Sequence, residues 1–211
     1  VDSCGVCEAC KDGQEQHCAK GAVMTYNGRG YDGEETKGGY AQGVVVKEDF
    51  VVKIPEGIGL DVAAPLLCAG VTTYSPLKRF GIGPGKRVAV IGLGGLGHMG
   101  VKIAHAMGAE VTVLSRTADK AEDSLAMGAA HHVATSDRGA LKQLRGHFDL
   151  ILNTVSADLP MDDYLRLLRP LGTLVNVGLP NKPFSVMPYS LVGGSKSLAG
   201  STIGGIPDTQ E

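Results

Sequence analysis

Residues 87–116 read RVAVIGLGGLGHMGVKIAHAMGAEVTVLSR, and the order of elements in this stretch decides the fold. The run 88–91 is apolar at every position, as in a strand buried on both faces. It passes into Gly92, Gly94 and Gly97 at the spacing G-x-G-x-x-G, then into a helical pattern over 95–108 and a second apolar strand over 110–114. A glycine triplet alone is a weak signal; strand, turn, helix and strand in register supply the context its mechanism requires. Gly92 permits a tight turn, Gly94 leaves room for a pyrophosphate, and Gly97 lets the helix approach the sheet. Gly95 and Leu96 open that helix, whose N-terminus favours phosphate charge. The competing reading is a glycine-rich turn that binds nothing.

The end of the second strand separates two cofactors. A carboxylate about 20 residues past the fingerprint would bond the ribose 2′-hydroxyl of NAD. Here the strand runs into Ser115, Arg116 and Thr117, with Lys120 one turn on, and no acid stands at the strand end. A hydroxyl, a guanidinium and an ammonium suit the 2′-phosphate of NADP, because Arg grips phosphate through two parallel hydrogen bonds. A solvated loop arginine is the plainer alternative.

Outward from this centre the alternation continues. Helices are expected over 118–127, 140–144 and 160–168, and strands over 132–134, 148–152, 173–177 and 197–200, which predicts an α/β fold with a parallel, helix-covered Rossmann-type sheet. Upstream, 57–80 has small and apolar residues at helical spacing, with breaks expected at Pro65 and Pro76. Before that the chain is turn-rich. Its 40–55 segment, YAQGVVVKEDFVVKIP, reads as short strands around a turn at Glu48 and Asp49. Three regions result: 1–56, part of a β-rich domain; 57–80, a helical connection; and 81–211, an NADP-binding domain.

The composition, 43% hydrophobic and 20% charged, is that of a globular chain rather than a disordered one. A net charge of −2 without a Lys/Arg run disfavours nucleic-acid binding through a basic face. Apolar runs such as VAAPLLCAGV fall short of the ~20 residues that span a bilayer, so no membrane segment is expected. The first residue is Val, so a missing leader carries little weight.

Four of the five cysteines, Cys4, Cys7, Cys10 and Cys18, are spaced C-x2-C-x2-C-x7-C. Four thiolates suit tetrahedral zinc and leave no position open for substrate, so such a site is structural. An iron–sulfur cluster and disulfides compete. The ferredoxin run would continue with x3-C-P, whereas seven residues intervene here and Ala19 follows the last cysteine. Disulfides need an oxidising compartment, at odds with a cytoplasmic NADP-using α/β protein. Cys68, in PLLCAGVTTY, reads by composition as a buried core cysteine.

The cysteine lobe, the GGYAQ strand entry, PLLCAGVTTYSPL and GLGGLGHMGVKIAHAMGA together resemble the zinc-dependent medium-chain alcohol dehydrogenases. Within them the chain is most similar to the NADP-dependent cinnamyl alcohol dehydrogenase group. The resemblance runs through essentially the whole sequence. It implies that residues 1–56 are the last portion of a GroES-like catalytic domain, and that Cys68 is one ligand of a catalytic zinc. The other ligands, a Cys and a His, should precede the lobe and are not in this sequence, so a fragment of a longer enzyme is expected. The resemblance also implies cofactor contacts at Thr72, Thr154, Val155, Val177, Gly178, Ser201, Thr202 and Ile203. His98 reads as a helix-surface residue, and four cysteines leave His17 no vacancy. The implied reaction is hydride transfer between NADP(H) and a primary alcohol/aldehyde pair, aromatic or aliphatic, in a homodimer. A truncated, non-catalytic NADP-binding protein is the alternative.

Overall fold

Residues 1–67, with few long apolar runs, build little regular structure. The computed structural model describes all 211 residues and groups them into two compact units, Val1–Leu67 with Ile203–Glu211, and Cys68–Thr202. The first holds a one-turn helix α1 (Glu8–Lys11), an antiparallel pair β1 (Tyr26–Arg29) and β2 (Glu35–Lys37), and helix α2 (Leu60–Pro65). The strands expected within 40–55 do not form; a 3₁₀ turn, Glu48–Phe50, stands where the turn was expected. Val45 is 99% exposed there. β-Branched residues favour extended backbone, but a strand exists only with a partner for its N–H and C=O groups.

A π turn, Leu66–Gly70, runs directly into α3 (Val71–Arg79), the first helix of the second unit. The buried Thr73 hydroxyl lies 3.0 Å from both the Ala69 and Gly70 carbonyl oxygens, satisfying acceptors that the wide turn loosens. The expected break at Pro76 does not occur. Its ring is buried on the packed face of α3 with Val71, Thr73 and Leu77, and that packing outweighs the missing N–H.

The sheet then follows as β3 (Arg87–Ile91), α4 (Gly95–Ala106), β4 (Glu110–Ser115), α5 (Ala121–Ala126), β5 (His131–Ala134), α6 (Arg138–Gln143), β6 (Phe148–Asn153), α7 (Met161–Leu165), β7 (Leu168–Asn176), α8 (Pro188–Val192) and β8 (Ser197–Gly200); a last short helix, α9 (Ile206–Gln210), belongs to the first unit. All six strands are parallel, in the order β5-β4-β3-β6-β7-β8. Starting the count at β3, this is the 3-2-1-4-5-6 order of dinucleotide-binding folds, with its reversal between β3 and β6. Alternate residues feed two cores, Val88, Val90, Leu150 and Leu152 on one face, Ala89, Ile91 and Ile151 on the other; Phe148 joins the second face through the register shift between it and Leu150. β7 starts at Leu168, earlier than expected, because the chain bends at Leu171 (φ 64°) and Leu168 pairs with Phe148. α8 was not expected. No helix is long and apolar enough to cross a membrane.

At the opposite end of the sheet, Asp149 accepts from the Arg87 N–H at 2.9 Å and Arg169 Nε at 2.6 Å, with Lys86 Nζ 3.9 Å away. Burial alone would raise this carboxyl, but those partners outweigh it and hold it below its usual value of 3.8. A carboxylate depressed in the fold stabilises it at neutral pH, and that contribution disappears as pH falls through the folded value. Asp149→Asn is therefore expected to lower the urea midpoint at pH 7. The gap from wild type should close as pH drops below 3.8.

Candidate functional site

The reversal of strand order brings the ends of β3 and β6 side by side. Gly92, at φ 89°, ends β3, and a Cβ there would lie 2.3 Å from Val155 Cγ1. A Cβ on Gly97 would lie 2.2 Å from the Gly92 carbonyl oxygen, so α4 can start this close to the turn only with glycine at both positions. The Thr154 hydroxyl donates to the Ile91 carbonyl at 2.7 Å, and the Thr154 N–H to the same oxygen at 3.2 Å. Its side chain thus ties the two strand ends together. Gly94 and Gly95, by contrast, are exposed, and a Cβ on either would meet nothing within 4 Å. That open space faces the start of α4, where unpaired N–H groups and the helix dipole favour an anion.

A groove of 760 Å³ runs from this turn across the ends of β4 and β5. It gathers Gly92, Ser115, Arg116, Lys120 and Val155 from the residues singled out in the sequence. Arg116 is exposed, while Lys120 Nζ reaches back 3.2 Å to the Leu93 carbonyl, which links the loop to the glycine turn. Thr117 lines the groove as well, and so do Asp119, Arg138 and Tyr164, which were not anticipated. Asp119 accepts from the Thr117 hydroxyl at 3.0 Å, and Asp158 in the groove wall pairs with Lys182 at 2.8 Å.

Beyond β6 a pair of asparagines orders the next strand end. Buried Asn153 donates through Nδ2 to Asn176 Oδ1 at 2.7 Å, and Asn176 Nδ2 donates to the Gly178 carbonyl at 2.6 Å. The Val177 and Gly178 N–H groups both donate to the Asn153 carbonyl, and Ser201 N–H to the Asn176 carbonyl. A Cβ on Gly178 would meet the Val155 carbonyl at 2.1 Å, so Val155, Val177 and Gly178 form one packed ledge. Only the partnering across strands reveals these asparagines; no spacing marks them. Thr202 is exposed, and Ile203 belongs to the first unit. Leu96 is half-buried on α4. Thr72 stands on α3, one turn past Cys68, and is half-buried. Cys68 itself is exposed on the π turn, not buried as its composition predicts.

In the first unit, Cys4, Cys7, Cys10 and Cys18 place their sulfurs within 4.8 Å of one another, and all are free thiols. Cys7–Cys10 measures 3.4 Å and Cys4–Cys10 4.0 Å. A tetrahedron with zinc–sulfur bonds of about 2.3 Å has edges of about 3.8 Å, so the donor set fits. Backbone N–H groups of Cys4, Cys7 and Ala19 donate to Cys18, Cys4 and Cys7 sulfurs respectively. The Cys4 N–H, with help from Tyr31, lowers the Cys18 thiol to about 6, and the Ala19 N–H lowers Cys7. The contact with Ser3 also lowers Cys10, but burial and the neighbouring thiols prevail and push it up to about 11. Four crowded thiols cannot all ionise without a cation, and a divalent metal supplies one. α9 braces the lobe. Its Ile206 N–H donates to Glu15 Oε2 at 3.0 Å, and a Cβ on Gly205 would lie 1.7 Å from the Gly13 carbonyl oxygen.

Two family models match the chain. Residues 95–211 match the zinc-binding dehydrogenase family and residues 1–56 the alcohol dehydrogenase GroES-like domain. A protein of Bacillus subtilis named probable formaldehyde dehydrogenase AdhA is 58% identical over the whole chain. One of Mycobacterium bovis named NADP-dependent alcohol dehydrogenase C is 56% identical, again over the whole chain. The chain spans 60% and 61% of the lengths of these two relatives. A solved cinnamyl alcohol dehydrogenase from Sorghum bicolor superposes with a TM-score of 0.95 at 43% identity, over all of this chain and 60% of that one.

Two glycines separate packing from ligand space. Gly97→Ala, which forces a methyl onto the Gly92 carbonyl, is expected to lower the melting temperature by several degrees, of order 1–3 kcal/mol for overpacking. Gly95→Ala, with open space around it, should not lower it at all. Thermal unfolding of both variants checks this.

Proposed function

The chain belongs to the zinc-binding dehydrogenase family, and from that premise we propose that it forms the cofactor half and structural lobe of an NADP(H)-dependent oxidoreductase acting on primary alcohols and aldehydes. The observation that carries this reading is the groove at the strand-order reversal. There the glycine turn lies beside Ser115, Arg116 and Lys120 rather than beside a carboxylate at the strand end.

In this reading Gly94, Gly95 and the first N–H groups of α4 receive the pyrophosphate. Arg116, Ser115 and Lys120 receive the 2′-phosphate, with Lys120 held near the turn by the Leu93 carbonyl. Thr154 and Val155 lie toward the adenosine side, and Val177 and Gly178, fixed by the asparagine pair, meet the nicotinamide end. Thr72, one turn past Cys68 on α3, and Ser201, next after β8, are further cofactor contacts in this reading. Cys68, exposed on a turn whose carbonyls Thr73 satisfies, offers its sulfur as a metal ligand; further ligands come from outside these residues. When bound, the nicotinamide carries the hydride and zinc polarises the substrate oxygen. The lobe of Cys4, Cys7, Cys10 and Cys18 holds a second, structural zinc, closed to substrate. The names of the relatives, one an NADP-dependent alcohol dehydrogenase and one a "probable formaldehyde dehydrogenase", support a small alcohol or aldehyde as substrate. We further place the protein in the cytoplasm, as a homodimer.

Metal analysis of the full-length protein should give two zincs per chain, falling to about one in Cys68→Ala, with aldehyde reduction lost and the fold retained. A Cys68→Ala protein that keeps both metals and activity refutes the assignment. Arg116→Ala should weaken NADP+ binding by about tenfold, the loss of a charge-assisted pair, and leave NAD+ nearly unchanged. Equal weakening of both cofactors would be inconsistent with a 2′-phosphate contact.

A further inference from the structure

Building on the reading of the 115–120 loop as the seat of a 2′-phosphate, we propose that His132 is a positioning residue for cofactor selection, tethering that loop to the sheet through the Thr117 carbonyl. His132 stands half-buried on β5, the edge strand next to β4. Its Nε2 lies 3.0 Å from the Thr117 carbonyl oxygen and its Nδ1 2.9 Å from Ser124 Oγ on α5. One ring thus joins the strand, the helix and the loop that carries Arg116 and Lys120.

The partners dictate where the protons sit. A carbonyl oxygen only accepts, so Nε2 carries a hydrogen. The Ser124 hydroxyl, fully buried, has one proton to give and sits 2.8 Å from the Ala121 carbonyl. With that proton on Ala121, Nδ1 donates to Ser124 and the ring is an imidazolium. With the ring neutral, the hydroxyl turns and donates to Nδ1 instead. The Nε2–H bond to Thr117 survives both arrangements, so the tether does not depend on the charge of the ring.

The other ties on the loop act elsewhere. The Thr135 N–H holds the Ser115 carbonyl at 2.7 Å and the Ser136 N–H approaches the Arg116 carbonyl at 3.4 Å, both on the side facing β5. Lys120 anchors the far end on the Leu93 carbonyl, and the Thr117 hydroxyl is taken by Asp119. The peptide between Thr117 and Ala118 is fixed by His132. An exposed arginine and lysine bind an anion better when their backbone is already ordered, because less freedom is lost on binding. Removing the tether should therefore weaken the 2′-phosphate contact and spare the rest of the dinucleotide.

In the full-length protein, His132→Ala is expected to raise the dissociation constant of NADP+ about fivefold, the worth of one hydrogen bond, and that of NAD+ less than about twofold. Without cofactor, the amides of residues 117–121 should exchange with deuterium faster in His132→Ala than in wild type. His132→Gln places an amide donor where Nε2 was and should restore both readouts; His132→Asn reaches only toward Ser124 and should restore neither. The reverse ranking would mean that the histidine serves α5 alone, and would overturn the proposal. Equal losses for both cofactors, or unchanged exchange in His132→Ala, would overturn it too. If His132→Ala fails to fold, the Gln and Asn variants carry the same comparison. Wild-type protein that prefers NAD+ would remove the cofactor reading and this inference together. An NADP+ preference that survives intact in His132→Ala removes this inference alone.

Discussion

The nucleotide unit depends on one close approach: the N-terminus of α4 against the turn that ends β3. A Cβ on Gly97 would come within 2.2 Å of the Gly92 carbonyl, and one on Gly92 within 2.3 Å of Val155. With both positions bare, the helix begins directly over the strand-order reversal and its first N–H groups face open space at Gly94 and Gly95. The Thr154 hydroxyl then clamps Ile91, so the end of β6 cannot move away from the end of β3. A bulkier turn would start the helix further out and leave the groove without its phosphate-facing floor.

Residues 87–116 carried most of this in their order alone, because fully apolar strands and a glycine turn have few other uses in that sequence of elements. The alternation from β3 to β8 was legible for the same reason, although α8 lay in a segment without a clear apolar period. Side-chain partnering was less visible. Asn153 and Asn176 are far apart in sequence and meet only because β6 and β7 are neighbours. Asp119, Arg138 and Tyr164 reach the groove from three separate segments. The bond from the Thr154 hydroxyl to the Ile91 carbonyl, joining two strands 63 residues apart, was likewise not visible in the sequence.

The lone cysteine and the four-cysteine lobe are held in different ways. Cys68 reads as a core residue by composition but stands exposed on the π turn within these 211 residues, and the Thr73 hydroxyl bonds the carbonyls of that turn. The four-cysteine lobe keeps its sulfurs at metal-binding distances although almost no apolar core surrounds it; N–H···S bonds and the α9 brace do that work. In the 40–55 segment the pattern of β-branched residues was real, but pairing partners decide whether a strand forms. Local propensity and tertiary pairing part company there.

The central claim is that the groove between the glycine turn and the 115–120 loop selects a 2′-phosphorylated adenosine. Calorimetric titration of the full-length protein with adenosine 2′,5′-bisphosphate and, separately, with adenosine 5′-monophosphate tests it without involving metal, substrate or the nicotinamide. The account predicts that the bisphosphate binds at least about tenfold more tightly, as a charge-assisted phosphate contact requires, with the advantage shrinking as salt is added. Equal affinities, or a preference for the monophosphate, would contradict it.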